Sequence, residues 1–547
     1  MEKQTIKTDV LCIGGGIAGL MAAIRASELG AKVVVADKSN TIHSGKGGAG
    51  NDHFLCYLPE VHGSDLDAFI QEAILETQMG EQLSGNRNTL RTYLGSTAAI
   101  VKLWDNWGIP MKYRGNYEFA GHTIPNAPLC HLKYEGKNQK RVLTEQALKR
   151  GVTIINRVMV LDLTSSPAGV TGAVGIGTRE ERSVEISAKS VVLGTGAVNR
   201  LYPDLGLGWF ANRCWPAGLT GDGRVMAYRA GAELVDVEIP RLHAGPKYFC
   251  RAGQGTWMGV LRDTHGKPVG PFVTKPERQY GDVTVETSKG IFADYAAQGK
   301  GPIYMDCRGM SEDDYRYMMH WFPHEGLDSL ADHLQEEGID LRCDPVEFAT
   351  YDRGCSGKIW VDNDVEASVS GLYAAGDEVG SNISHAAVFG WLAGEKAAHY
   401  AKTSDYSANR EISPETQEKQ GLFQEIRDRP PGPDYKEVNI ALQQIMIDYA
   451  GSVRSEASLE AGLSHLRRLR QKAMETVIAR NSHELARCVE VFNLLDLGEL
   501  VFVAANARKE TRGRHKRPDY PVTNPLLNKS LIVKRLDGKP AIEWRRK

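Results

Sequence analysis

Gly14-Gly15-Gly16-Ile17-Ala18-Gly19 lies between two apolar segments of different character. Residues 9–13 are short and rich in β-formers, whereas residues 20–29 are rich in alanine and leucine. The spacing predicts a strand, a glycine turn and a helix, which Gly30-Ala31 ends; residues 32–36 then form a second strand that stops at Asp37. Within G-x-G-x-x-G, Gly14 permits the tight turn, Gly16 lets the backbone approach a pyrophosphate, and Gly19 lets helix and strand pack closely. The helix N-terminus offers free N–H groups and a positive dipole end to phosphates. Asp37, 18 residues past Gly19, stands where a carboxylate can accept from ribose hydroxyls. The expectation is an α/β, Rossmann-type dinucleotide-binding unit.

The fingerprint alone does not separate NAD from FAD. A second stretch, Gly371-Leu372-Tyr373-Ala374-Ala375-Gly376-Asp377, resembles the downstream FAD sequence of glutathione-reductase-type flavoproteins. Gly194-Thr195-Gly196 resembles their middle A-T-G element. The resemblance implies FAD, with Asp377 on the ribitol or the adjoining phosphate. The cofactor residues expected on these grounds are Gly14, Gly16, Gly19, Asp37, Lys38, Gly47, Gly48, Gly196, Asp222, Gly376 and Asp377.

The chain of 547 residues divides by pattern. Residues 1–237 are read as the first part of the FAD-binding domain. Residues 238–346 lose the βαβ rhythm and are read as an inserted α+β capping domain. Residues 347–404 resume the FAD-binding domain with a strand at 371–375 and a helix at 386–401. A polar linker with Pro414 and Pro430-Pro431 leads to helical periodicity over 435–509, in a C-terminal helical domain at 405–515. Residues 516–547 are read as a basic tail.

Apolar residues make up 42 % and charged residues 24 % of the chain, an ordinary globular composition. The net charge of −2 offers no overall field for nucleic acid. Arg512, Arg514, Lys516 and Arg517 form a basic cluster that reads as an anion site or as solvated surface. The 9 cysteines form no C-x-x-C pair, which argues against a disulfide framework, a zinc ribbon or an iron–sulfur cluster in this chain. No secretory leader and no run of apolar residues long enough to span a membrane is read. A cytoplasmic location is expected, peripheral to a membrane only through partner subunits.

Further stretches narrow the resemblance. Gly221-Asp222-Gly223 with Met226-Ala227-Tyr228-Arg229-Ala230-Gly231-Ala232 resembles the T-G-D-G…A-G-A segment of the succinate dehydrogenase/fumarate reductase flavoproteins. Asn493-Leu494-Leu495-Asp496, Arg508-Lys509-Glu510-Thr511-Arg512-Gly513 and Asp519-Tyr520-Pro521 resemble that family's N-L-L-D, R-K-E-S-R-G-A-H and D-[FY]-P runs. The family also includes L-aspartate oxidase and the α chain of adenylylsulfate reductase, and the latter branch looks nearer. Its chemistry implies hydride exchange between a small anionic substrate and FAD, with electrons passed to an iron–sulfur partner. The alternatives are an adenylylsulfate-reductase-like enzyme, a stand-alone oxidase like L-aspartate oxidase, and a non-catalytic FAD electron-relay subunit.

The departures from the family are specific. Aligning Gly47-Gly48 puts Thr41 where respiratory members carry the FAD-attaching histidine, with His43 two residues late, so non-covalent FAD is expected. The H-x-x-G-A-N-R-L run is replaced by Ser384-His385-Ala386-Ala387-Val388-Phe389-Gly390, without its arginine. The candidate catalytic residues are His243, Lys247 and Arg251 in the cap, His385 after Gly376-Asp377, and Arg353 ahead of a glycine turn. The competing readings are a basic surface loop for the first three, a buried or capping histidine for His385, and a structural ion pair for Arg353. His320 and His324 are spaced i,i+4, but no fitting third ligand is legible, so no metal is expected.

Overall fold

The computed structural model describes residues 2–76, 87–120, 128–203, 216–247, 257–269, 291–380, 382–405 and 414–546. The strand Glu2–Ile13, fully buried over Val10–Ile13, pairs along both edges, with Val33–Asp37 and Arg182–Leu193, both parallel to it. Thr153–Asn156 extends the sheet beyond Val33–Asp37. On the other side, the first half of Arg182–Leu193 pairs with Gly169–Gly177, antiparallel. Its last residues pair with Leu372–Ala374, parallel. Val158–Ser166 completes the seven-stranded sheet. The returning strand therefore ends level with the first strand's C-terminal end, one strand away, at the edge where open α/β sheets bind ligands.

Two helices lock this arrangement. Ile17–Glu28 and Ile383–Thr403 lie against each other so closely that a Cβ at Gly390 or Gly394 would overlap the Ala18 or Ala22 backbone. Their apolar faces join Trp104, Leu94 and Phe54 in one core. Trp104 and Leu94 belong to Arg87–Asn106, a long helix the sequence reading did not anticipate.

The inserted segment builds a four-stranded sheet in the order Pro240–Pro246, Val346–Cys355, Ile303–Asp306, Val260–Arg262. Trp257, Trp321, Phe322 and Phe348 fill its core. The strand Val346–Cys355 pairs with Pro240–Pro246 through Pro240↔Cys355, so it belongs to the cap sheet. This corrects the boundary read at 346/347: the return to the first domain comes after Cys355, because backbone pairing carries the strand past the change in composition.

The helices Tyr435–Ala450, Glu456–Thr476 and Ser482–Ala507 pack through Leu442, Met446, Leu466, Leu494 and Phe502. Asp434 and Glu437 form a capping box at the start of the first of these. A further helix, Pro414–Asp428, occupies part of the segment read as linker. The expectation of a basic tail over 516–547 is also corrected. Lys529–Leu536 and Lys539–Arg546 form a hairpin that adds to Leu234–Val235 and buries Leu531 and Val533. The continuous, β-branched-rich apolar run Leu531-Ile532-Val533 was the missed strand signal. Among the described residues no helix is long and apolar enough to cross a membrane.

Candidate functional site: a dinucleotide cradle and its cationic rim

The glycine turn is held from below by Asp37, which is 5 % exposed. One carboxylate oxygen accepts from the Gly15 N–H at 2.7 Å and from Ser44 Oγ at 3.0 Å. The other accepts from the Ser39 N–H at 2.7 Å. Gly14 has φ +95°, and a Cβ there would overlap the Gly194 carbonyl, so only glycine fits. Gly16 differs, because the nearest atom to a Cβ built on it is Gly194 O at 3.7 Å. This space opens at the N-terminus of Ile17–Glu28, whose cap has no side-chain hydrogen bond. An uncapped helix end beneath open space fits a pyrophosphate.

Lys140 also underlies the turn. It is buried on Gln139–Lys149, and its ammonium donates to the Gly15 carbonyl. Burial pulls its pKa down to about 7, against the opposing pull of Asp37. The sequence reading missed it, although a lysine on the same helical stripe as Leu143, Thr144 and Ala147 was a usable signal.

Lys38 and Asp222 meet at 2.6 Å, and Lys38 also reaches Glu490 at 2.9 Å. Asp222 accepts from Asn493 Nδ2 at 2.8 Å, so two family motifs far apart in sequence touch directly. Glu490 is paired further with Arg200 at 2.6 Å and Arg487 at 2.8 Å. Burial opposes its ionisation, but Lys38, Arg200 and Arg487 outweigh it and hold its pKa at about 2. A carboxylate depressed in this way stabilises the fold fully above its unfolded pKa, and the contribution is lost as pH falls from about 4.5 towards 2. Glu490→Gln is accordingly expected to cost about 3 kcal/mol at neutral pH by stranding buried cations. Denaturant melts of both proteins measure this, and the gap between them should narrow as pH drops through that window.

At the opposite end of the cradle, Asp377 meets Lys46 at 3.1 Å and Arg241 at 3.5 Å. Burial would raise the Asp377 pKa, but Lys46 and Arg241 lower it overall. Arg224 is buried and donates to the carbonyls of Gly357 at 2.6 Å, Gly196 at 2.9 Å and Asp377. It also lies 3.4 Å from Glu378. Lys358 is buried nearby; burial, helped by Arg241 and Arg224, brings its pKa to about 8. Four cationic side chains thus gather around Asp377 and Glu378, with Asp236 also acting on Lys358.

His385 stands at the same place. Asn382 caps its helix by accepting from the His385 N–H at 2.6 Å. The ring lies against Gly380, where any Cβ would overlap it, and packs on Phe389 and Tyr93. Both ring nitrogens are buried without a hydrogen-bond partner. Burial, followed by the Lys358 charge, pushes its pKa well below the usual histidine range.

The other candidates are placed differently. His243 and Arg353 lie on the paired strands Pro240–Pro246 and Val346–Cys355, with Arg353 at the bulge opposite Arg241 and Leu242; their side chains fall outside the described residues. Lys247 pairs with Glu347 at 2.6 Å on the cap sheet. Arg251 lies outside the described residues. Gly47, Gly48, Gly196 and Gly376 line the turns around the cradle. Arg241, Arg224, Lys46 and Lys358 were not singled out from sequence. The basic cluster near the C-terminus turns inward: Arg517 is fully buried and pairs with Asp519 at 2.7 Å, and Arg512 pairs with Glu510 at 2.7 Å. Arg512 and Arg517 are therefore engaged by carboxylates, and Lys516 stays partly exposed.

Residues 9–388 match the family model described as FAD binding domain, and residues 439–546 match fumarate reductase flavoprotein C-term. The chain is 25 % identical to a fumarate reductase (CoM/CoB) subunit of Methanothermobacter marburgensis, over 98 % of each chain. It is 24 % identical to L-aspartate oxidase of Streptomyces coelicolor, covering 97 % of this chain and 92 % of that one. Its fold superimposes on adenylylsulfate reductase from Archaeoglobus fulgidus with a TM-score of 0.85 at 21 % identity, covering 100 % of this chain and 96 % of the other. With the FAD-binding match alone spanning most of its length, the chain belongs to the fumarate reductase and succinate dehydrogenase family of flavoproteins and is an FAD-dependent oxidoreductase.

Proposed function

We propose that this chain is the flavoprotein subunit of a redox complex that exchanges hydride with a small anionic substrate and hands electrons to an iron–sulfur partner. The observation that carries the reading is the gathering of Lys46, Arg224, Arg241 and Lys358 around Asp377, beside the unpartnered His385. When bound, FAD supplies two-electron exchange with substrate and one-electron exchange with the partner. Arg241 lies where the cap strand leaves the first domain, and its planar guanidinium suits a carboxylate, phosphate or sulfate. Arg251 and His243 of the cap add a second guanidinium and an imidazole in this reading. Lys358, with its pKa brought to about 8, is close enough to neutrality to give up a proton, while His385 is held neutral, so its unpartnered ring nitrogens are free to hydrogen-bond a ligand without adding charge. An electron partner is supported by the Methanothermobacter marburgensis relative, which is named as one subunit of its enzyme.

The test is anaerobic oxidation or reduction of bound flavin by fumarate, succinate, aspartate and adenylylsulfate, with and without a ferredoxin-type acceptor. Hydride exchange with a dicarboxylate and rapid reoxidation by the acceptor support the proposal. Reaction with adenylylsulfate alone replaces it with the sulfur chemistry, and no reaction with any anion replaces it with an electron relay.

The flavin in this proposal is non-covalent. Thr41 is buried against Gly15, and His43 is exposed. Acid precipitation is expected to leave the yellow colour in the supernatant; colour retained on the denatured chain would show attachment.

A further inference from the structure

The sequence offered two histidines without a third ligand, and the fold supplies one. His320 ends the cap helix Glu312–Trp321, and His324 lies in the turn that follows. Glu135 comes from the other side of the seam, just after the strand His131–Lys133 of the first domain. One donor atom from each of these three residues lies within 4.8 Å of the other two. The Glu135 carboxylate is 3.7 Å from His320 Nε2, beyond hydrogen-bond range. Ligand atoms arranged tetrahedrally around zinc stand roughly 3.4 Å apart, so small side-chain rotations close the set.

Two further observations point to a ligand. His320 Nε2 and His324 Nδ1 are both buried atoms with no hydrogen-bond partner. An ion pair between His320 and Glu135 would still leave His324 Nδ1 unsatisfied, whereas one cation satisfies all three donors. The rings are also held in place, since His320 packs on Tyr113 and Trp321 with centroids 5.3 and 4.8 Å away. Lys137, the nearby cation, is engaged by Asp328 at 3.0 Å.

The geometry points to a divalent transition-metal site, with His320, His324 and Glu135 as its protein ligands, that clamps the cap to the first domain. Two imidazoles and a carboxylate suit Zn²⁺ or a neighbouring first-row ion and leave a position for water. The seam is already intimate, because the His324 carbonyl abuts Gly50, where a Cβ would overlap it, and Glu325 accepts from the Asp52 N–H at 3.0 Å. An ion here would hold shut the joint beside the loop that carries Gly47 and Gly48.

The experiment titrates the FAD-loaded full chain, stripped of metal, with Zn²⁺ by calorimetry and with Co²⁺ by its visible spectrum. Cys343→Ser serves as background, because that thiol is exposed. Saturable binding at one site per chain is expected, with the spectrum of a low-symmetry nitrogen and oxygen site and a higher melting temperature. His324→Ala and Glu135→Gln should each weaken Zn²⁺ binding at least 100-fold while leaving the flavin spectrum unchanged. Absence of saturable binding, or binding that both variants retain, overturns the proposal.

Discussion

Replacing Arg241 by alanine is expected to slow flavin reduction or reoxidation by an anionic substrate roughly 100-fold or more, while yellow holoprotein is still recovered. The side chain sits 3.5 Å from Asp377 and is partly exposed, so it can serve a ligand as well as the carboxylate. Without it, Asp377 still has Lys46 at 3.1 Å, and the cradle should keep its cofactor. Arg241→Lys restores charge but not the planar fork and should recover only part of the rate. Rapid-mixing kinetics with the reactive member of the anion panel measure both variants, alongside Arg251→Ala. Unchanged rates in Arg241→Ala would remove this residue from the substrate site. A large loss in Arg251→Ala alone would move the anion contact to the cap segment.

Asp37→Ala should weaken FAD binding by roughly 100-fold, for a reason the structure makes specific. The carboxylate accepts from the Gly15 and Ser39 N–H groups and from Ser44 Oγ, all within 3.0 Å. Hydrogen bonds to a charged acceptor are each worth about 1.5–3 kcal/mol, and donors left buried without a partner add to the loss. The loss therefore falls on the glycine turn as well as on ribose contacts. Asp37→Asn retains one acceptor oxygen and should fall between the two. Flavin-to-protein ratio after dialysis and titration of the apoprotein with FAD report the effect. Full flavin retention in Asp37→Ala would show that the turn stands without this carboxylate.

Where function was written in a contiguous string, it was legible. Gly14 to Gly19 and Asp37 fall at spacings that impose their own geometry, since a strand, a tight turn and a helix leave those positions little choice. Gly376-Asp377 and the separate motifs of Asp222 and Asn493 were legible through resemblance, whereas the contact between the last two is made by the fold. Periodicity carried the C-terminal helices, because burial of one face repeats along the chain. What it did not carry were elements stabilised from afar, such as the hairpin Lys529–Leu536 and Lys539–Arg546, which gains its partner from Leu234–Val235. The strand Val346–Cys355 looked like a domain junction until its pairing with Pro240–Pro246 was seen.

Local density of charge was the weakest guide. Arg512 and Arg517 look like an exposed basic patch in sequence, yet they turn onto Glu510 and Asp519 because those carboxylates are two residues away. The cations that do gather at Asp377 come one at a time from Lys46, Arg224, Arg241 and Lys358. They are scattered over more than half the chain, so no short stretch of sequence announces them as a group. Sequence by itself determined the βαβ glycine turn through its spacing, and the FAD-binding family through the motifs that resemble it. Only the tertiary structure decided which positive charges face the cradle and which are neutralised, because a charge acts through distance in space, and folding alone sets that distance.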